Sequence, residues 1–318
     1  MSLDVFRGAT IAAMILVNNP GNWGAIYKPL DHAEWHGWTF TDLIFPFFIW
    51  IVGVAIPLST ARRLEQGQSR RQLLLHALRR SVIMGPLFGW GTGGLEQHGN
   101  FSEYLDNLVL NGKVIGLHVW KGGKTWDPEG IFSTVPAIAT CLFGIMTGHL
   151  LRSKQTPETK TAWLFVGGNL LLFAGVLMDV WLPINKKLWT SSYSVFMAGM
   201  AMNCFAVSYW LVDVQGWRKW AKPFAIYGMN AIAVFMLAGL LGRILPAIKV
   251  GTAAGKKVGL QSYLYDNLFA PFASPDTAPC FSFLASPKNA SLMWALMYIT
   301  GLYLAAYGMY RRKWFLKF

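Results

Sequence analysis

Charged residues are scarce in this sequence of 318 residues. Asp, Glu, Lys and Arg together make up 14% of it, whereas a soluble globular domain carries about 25%. Hydrophobic residues make up 54%. So little charge excludes an ordinary soluble domain and indicates a chain that lies mostly within a membrane.

Cysteine and nucleotide-binding motifs are also scarce. The three cysteines, Cys141, Cys204 and Cys280, lie far apart, and none has CxxC or Cys/His metal-binding spacing. We therefore expect neither a disulfide framework nor a zinc site. The sequence contains no Walker loop and no GxGxxG, and the glycines at 91–94 follow a predicted helix rather than a strand. A loop that cradles phosphates is not expected there.

The charge that is present is mostly basic, and the formal net charge is +13. The Lys and Arg residues occur in short clusters between apolar runs, which argues against one exposed patch for nucleic acid. The 15 Trp and 21 Phe residues fit aromatic belts at the two membrane–water interfaces.

Eight apolar runs approach the length of about 20 residues that a spanning helix needs. The first run leads into Asn18, Asn19 and Pro20 rather than a small-residue cleavage site, so we expect it to remain as a helix. We predict an all-α fold, a polytopic membrane bundle with spans at 8–22, 40–60, 74–90, 131–151, 161–182, 192–212, 223–245 and 290–310.

The loop charges predict the orientation, because short cytoplasmic loops collect Lys and Arg. With a cytoplasmic N-terminus, the inner side holds most of the 28 basic residues, at the two ends of the chain and in short loops. We predict that both termini lie inside, with longer outer loops at about 91–130 and 246–289. Residues 1–318 would then form a single transmembrane domain.

The first predicted hairpin concentrates polar residues, and each such residue at membrane depth is a candidate functional residue. Its first helix ends near Asn18, its connector carries His32, and its second helix begins with Asp42. An imidazole close to a carboxylate suits proton transfer near neutral pH. Simpler roles stay open: Asp42 can stabilise the helix start, and Asn18 can bond backbone groups freed by Pro20.

Other polar residues lie near later predicted spans. Asp127 and Glu129 precede the fourth span on the outer side, where they can favour a helix start or bind a cationic amine. Asn230 lies within the seventh predicted span, where it can make an interhelical hydrogen bond or contact a ligand. We interpret His36 and Glu34, in the first connector, as interfacial side chains without a chemical role.

Several stretches resemble one family, the transmembrane acyltransferases related to heparan-α-glucosaminide N-acetyltransferase, with their bacterial relatives. The longest and most specific stretch covers the first connector and the start of the second helix. The stretches are SLDVFRG at 2–8, MILVNNPG at 14–21, HAEWHGWTFTDLIFP at 32–46, DPEG at 127–130, LPINKK at 182–187, GMNA at 228–231 and YRRKWFLKF at 310–318.

The resemblance implies an activity. Family members transfer acetyl from cytosolic acetyl-CoA to the amino group of a terminal glucosamine across the membrane. We expect no metal cofactor. The family's histidine matches His32, which would act as general base or acetyl carrier, and its other site residues match Asn18, Asp42, Asp127 and Glu129. The resemblance also points to a homodimer and, through the bacterial relatives, to a multi-pass protein of the bacterial inner membrane.

The donor side of the site is less well marked. Arg62 and Arg63 lie on the predicted cytoplasmic side and can meet CoA phosphates, although the orientation rule explains them equally well. Family members carry extra helices before DPEG, where residues 91–127 are polar and too short for two spans. We therefore expect one helix pair to be missing. An amino-sugar transporter of the same fold, or an inactive scaffold, would carry the same motifs.

Overall fold

A computed structural model describes the chain at residues 1–65, 103, 131–251, 257–273 and 285–315. Helices dominate these residues, and the strands among them form one two-stranded antiparallel hairpin. The predicted all-α fold is thereby confirmed. The third predicted span, at 74–90, lies outside the described residues, as does the DPEG motif at 127–130.

The described part of the chain contains nine α-helices, which follow the predicted spans with a few additions. Short 3₁₀ turns lie at Lys28–Leu30 and Ala270–Ala273, and a π-helical turn lies at Trp210–Val214. The elements are α1 Ser2–Asn18, α2 Phe40–Glu65, α3 Ile131–Arg152, α4 Pro157–Asp179, α5 Ser191–Tyr209, α6 Lys222–Met229, α7 Ala231–Ala247, β1 Lys249–Gly251, β2 Lys257–Gly259, α8 Leu260–Leu268 and α9 Pro287–Arg311.

Length and hydropathy identify the helices that can cross a membrane. Among the described residues there are four, and the bent pair of α6 and α7 makes a fifth if it counts as one span. A multi-pass helical membrane protein is therefore confirmed, while the count of eight spans stays a prediction. The four are Phe40–Ser59, Pro157–Asp179, Ser191–Val214 and Pro287–Arg311.

Helix α1 begins earlier than the first predicted span and ends at Asn18. Pro20 explains this end, because the residue before a proline disfavours helical angles, and Asn19 has φ −132° and ψ 54°. Asn19 Nδ2 donates to Ile15 O at 2.9 Å, which satisfies a carbonyl that the helix end leaves without a helical partner.

The seventh predicted span is not one continuous helix, which corrects the sequence prediction. The structure divides it into α6 and α7, which meet at Asn230 with an angle of 81°. Asn230 has non-helical angles of φ −119° and ψ 35°, so it lies at the break rather than inside a helix. Hydropathy missed the bend because both halves are apolar.

The chain divides into two compact units. The first contains Met1–His32, Thr39–Ile44 and Ser208–Phe318, and within it α6 packs against α1. A Cβ atom on Gly228 would lie 1.9 Å from Asp4 O, so only a glycine allows the two backbones to approach this closely. The buried side chains beside this crossing are Val5, Val212, Ala221 and Ala225.

The second unit contains Ala33–Trp38 and Phe45–Val207, and glycines bring its helices together in the same way. A Cβ atom on Gly53 of α2 would lie 2.1 Å from Cys141 O of α3. Gly144 of α3 is equally close to the α2 backbone. Since lipid tails compete with apolar side chains, close backbone packing of this kind is what holds membrane helices together.

Replacing Gly228 with Ala should destabilise the first unit, because the added methyl group would overlap the Asp4 carbonyl oxygen. We expect a loss of about 1–3 kcal/mol in the free energy of unfolding, as at other overpacked sites. Gly239→Ala is the matched control, since a Cβ atom there meets nothing within 4 Å. Thermal unfolding in detergent should show a lower melting temperature for Gly228→Ala alone. Equal melting temperatures would contradict the close contact of α1 with α6.

Candidate active site

Asp42 lies in the first turn of α2 and stabilises the start of that helix. Its Oδ2 atom accepts a hydrogen bond from Thr39 N–H at 3.0 Å, and its own N–H donates to Thr39 O at 3.0 Å. An acidic side chain that bonds the N–H just before a helix is one half of a capping box. The Asp42 side chain is only 1% exposed, so this carboxylate is a buried part of the helix start.

The other oxygen of the same carboxylate holds His32. The Nδ1 atom of His32 lies 2.7 Å from Asp42 Oδ1. Because a carboxylate can only accept, we assign the proton to Nδ1 and the imidazole lone pair to Nε2. The His32 side chain is 50% exposed, so the ring reaches the surface while its partner stays buried. A buried acid that orients an exposed imidazole is the arrangement of a general base.

The backbone that carries His32 is held to the same helix start. His32 N–H donates to Asp31 Oδ1 at 2.8 Å. The Thr39 hydroxyl lies 2.5 Å from Asp31 O and 3.0 Å from Asp42 Oδ2. Both neighbours are acceptors and the hydroxyl has one proton, so it donates to one of them at a time. A threonine at a helix start usually accepts a backbone N–H; this one connects the histidine loop to α2.

Asn18 does not join this cluster. It is the last residue of α1, its side chain is exposed, and no hydrogen bond in the described chain links it to His32 or Asp42. The bond to a backbone carbonyl freed near Pro20 is made by Asn19 instead. A direct part for Asn18 in the reaction stays a prediction.

Asn230 is buried at the break between α6 and α7, where Nδ2 donates to Trp314 O at 3.0 Å. The amide thus ties the bend to the chain just after α9, rather than to a residue of another helix. A ligand contact by Asn230 stays a prediction.

Four further predicted site residues have no described side chain. Asp127 and Glu129 lie outside the described residues, and of Arg62 and Arg63 only the backbone, in the last turn of α2, is described. Their assignments to substrate and to CoA stay predictions. Within the described ranges, no group of three or more His, Cys, Asp or Glu side chains could hold a metal ion.

Sequence reasoning missed how the middle of the first connector is held. In the second unit, Gly37 N–H donates to Ile184 O at 2.7 Å, and Gly37 has φ +87°, an angle that favours glycine. The Nδ2 atom of Asn185 lies 3.4 Å from His36 Nδ1. His36, which we interpreted as an interfacial side chain, therefore contacts the LPINKK motif.

Lys187 of the same motif fastens the connector at a second point. Its Nζ atom donates to Glu34 O at 2.5 Å and lies 5.6 Å from the centroid of the Trp35 ring. The motif was visible in the sequence as part of the family resemblance. Its contacts were not, because the bonded residues are separated by 153 positions and no spacing rule reaches that far.

The fold and the His32–Asp42 pair define a class: a multi-pass helical membrane protein with an imidazole–carboxylate pair where its second helix begins. Comparison with curated proteins shows which known enzymes the chain resembles. The chain is 24% identical to heparan-α-glucosaminide N-acetyltransferase of Homo sapiens over 351 aligned positions, and 23% identical to that of Mus musculus over 347. Each alignment covers 74% of this chain and 52% of the relative. The chain thus spans about half the length of the curated relatives it matches.

These similarities confirm the resemblance seen in the motifs: the chain is related to the transmembrane acyltransferases that include heparan-α-glucosaminide N-acetyltransferase. It is also 26% identical to aquaporin TIP1-1 of Zea mays over 173 positions, which cover 50% of this chain and 65% of that protein. No protein-family model matches the chain.

Thr39→Val should loosen the loop that carries His32, because valine has the shape of threonine but no hydroxyl to meet Asp31 O and Asp42 Oδ2. We expect a loss of about 0.5–1.5 kcal/mol in the free energy of unfolding, the usual worth of one such hydrogen bond. Thr39→Ser keeps the hydroxyl and should unfold close to the wild type in detergent. A Thr39→Val protein with the wild-type melting temperature would show that the hydroxyl does not hold the loop.

Proposed function

We propose that this protein is a transmembrane N-acetyltransferase that moves acetyl from acetyl-CoA to the amino group of a glucosamine-type sugar. The observation that carries the proposal is the His32–Asp42 pair, with 2.7 Å between Nδ1 and Oδ1 and a carboxylate that is 1% exposed. The similarity to two N-acetyltransferases supports the same chemistry.

The proposed orientation has both termini in the cytoplasm, because short loops rich in Lys and Arg favour that side. Helix α1 then runs outward, and the connector with His32 lies on the outer side. Acetyl-CoA would be bound from the cytoplasm and the acceptor sugar from outside. Transfer at His32 would therefore carry the acetyl group across the membrane.

In the direct route, the amine attacks the thioester as a free base. Its nitrogen bonds to the acetyl carbonyl carbon while His32 Nε2 takes the proton that the nitrogen loses. The C–S bond then breaks, and CoA leaves as the thiol after receiving that proton. Asp42 keeps the Nδ1 proton in place and faces the positive charge that forms on the ring. A positioned base of this kind contributes about 10²–10⁴ in rate.

In the covalent route, His32 Nε2 itself attacks the carbonyl carbon of the thioester, the C–S bond breaks, and CoA leaves as the thiolate, which takes a proton from water. The acetyl group then sits on the imidazole until the sugar amine attacks it and restores the free ring. This route gives ping-pong kinetics and an acetylated enzyme that forms without acceptor. The same Nδ1–Oδ1 contact serves both routes, because each needs the lone pair on Nε2.

The other predicted residues receive roles within the same proposal. Asn18 would donate to the thioester oxygen as negative charge develops there. Asn230 lies beside Trp314, near the C-terminus; in the proposed orientation that is the CoA side, so its ligand contact would be with the donor. The acceptor ammonium or hydroxyls would bind Asp127 and Glu129, and the CoA phosphates would bind Arg62 and Arg63.

The direct test is acetyl transfer from labelled acetyl-CoA to glucosamine by purified protein in detergent. The wild type should form N-acetylglucosamine, and His32→Ala should lower the rate by about 10²–10⁴. Label that stays on the wild-type protein in the absence of acceptor, and is absent from His32→Ala, would select the covalent route. If the wild type binds acetyl-CoA but acetylates no amino sugar, the acceptor class is wrong. If it binds no acetyl-CoA, the transferase proposal fails.

Asp42→Asn tests the proton assignment. The oxygen of the new asparagine would accept the hydrogen bond from Thr39 N–H. The asparagine NH₂ group would then face His32 Nδ1, and Nδ1 would have to accept a hydrogen bond from it. The ring proton would then sit on Nε2, where the reaction needs a lone pair, and a tautomer error of this kind costs about 10⁴ in rate elsewhere. Glu34→Gln is the control: it likewise removes one negative charge, but from the connector rather than from α2, and it should retain activity. Equal activity of the two variants would contradict the assignment.

An amino-sugar transporter is the competing function. It predicts uptake of labelled glucosamine into proteoliposomes without acetyl-CoA, and no acetylated product. The transferase predicts accumulation of N-acetylglucosamine only when acetyl-CoA is present on the side of the termini.

A further inference from the structure

Two exposed segments in the first unit share an unusual composition. Residues 217–222 read WRKWAK and residues 311–315 read RRKWF. The aromatic side chains in both are well exposed: Trp217 is 62%, Trp220 43%, Trp314 56% and Phe315 40% exposed. Large aromatic rings interleaved with basic residues are typical of chain that lies at a membrane surface.

The basic residues of these segments are not neutralised by nearby acids. Across the described parts of the chain, none of the six forms an ion pair. Asp4 is engaged with Arg7 at 3.1 Å, and Asp213 accepts from Ser2 N–H at 3.2 Å. The surface therefore carries a local excess of positive charge, from Arg218, Lys219, Lys222, Arg311, Arg312 and Lys313.

Helix α6 connects the two segments. Residues 217–222 lead into its first turn, and Trp314 accepts the hydrogen bond of Asn230, directly after its last residue. Eight helical residues extend about 12 Å, so the segments flank a short helix.

We infer that α6 and the two segments form a docking surface for anionic phospholipid headgroups of the leaflet on the side of the termini. Exposed Lys and Arg at the membrane surface meet phosphates and acidic headgroups, and the Trp rings lie between headgroups and acyl chains. This inference does not depend on the proposed acetyl transfer.

The test compares melting temperatures in nanodiscs of neutral phosphatidylcholine with those in nanodiscs that also contain phosphatidylglycerol. A ligand that binds only the folded state raises the melting temperature, and we expect a gain on the order of 3 °C for the wild type. Lys219→Gln/Lys313→Gln should lose most of that gain. Lys249→Gln/Lys257→Gln is the matched control, because it removes two exposed lysines of the same unit, on the β1–β2 hairpin.

Three results would overturn the inference. The wild type could show no gain, the Lys219/Lys313 variant could keep the gain, or both double variants could lose it equally, which would indicate diffuse charge rather than a surface. A further arm adds inorganic phosphate to neutral nanodiscs. An equal gain there, lost in the Lys219/Lys313 variant, would assign the surface to a soluble phosphate rather than to lipid. Both variants should melt with the wild type in neutral lipid, which confirms that they fold.

Discussion

The Asp42 carboxylate belongs to two structures at once, the first turn of α2 and the loop that carries His32. One oxygen accepts a hydrogen bond from the N–H before the helix, and the other accepts one from His32 Nδ1–H, as we assign it. Burying a charge is costly unless hydrogen bonds and nearby dipoles compensate, and the helix start supplies both. The proposed base is thus positioned by an element that has to form for the fold to exist, and its tautomer follows from how that helix begins.

Amide side chains stabilise the breaks in the helices of the first unit. At membrane depth an unbonded carbonyl is costly, so other groups have to bond the carbonyls that a helix end frees. Asn19 does this for Ile15 O at the end of α1, whereas Asn230 ties the bend between α6 and α7 to Trp314 O, after α9. The first break leads to the histidine loop, and at the second the chain bends by 81° between α6 and α7. Glycines allow the backbones of α1 and α6 to approach closely.

Much of the proposed site can be predicted from the sequence, but the roles of adjacent residues within it cannot be told apart. His32 and Asp42 are ten residues apart, and a carboxylate at a helix start was visible together with an imidazole in the preceding loop. Asn18 and Asn19 were not separable, because both precede Pro20 and only the helix end decides which side chain turns back. Asn185 and Lys187 lay in a motif that the family resemblance included, yet their contacts with the connector link residues far apart in the chain.

The membrane environment of this protein and the chemical groups of its proposed site can both be predicted from the order of its amino acids. Low charge, long apolar runs and basic clusters are properties of composition and order, and they need no coordinates. The 81° bend, the partner of Asn230 and the contact of Lys187 with the connector become visible only in the folded chain. These features depend on how closely two backbones approach and on which distant carbonyl comes within reach. Neither the distance between two backbones nor the position of a distant carbonyl can be calculated from hydropathy or local spacing.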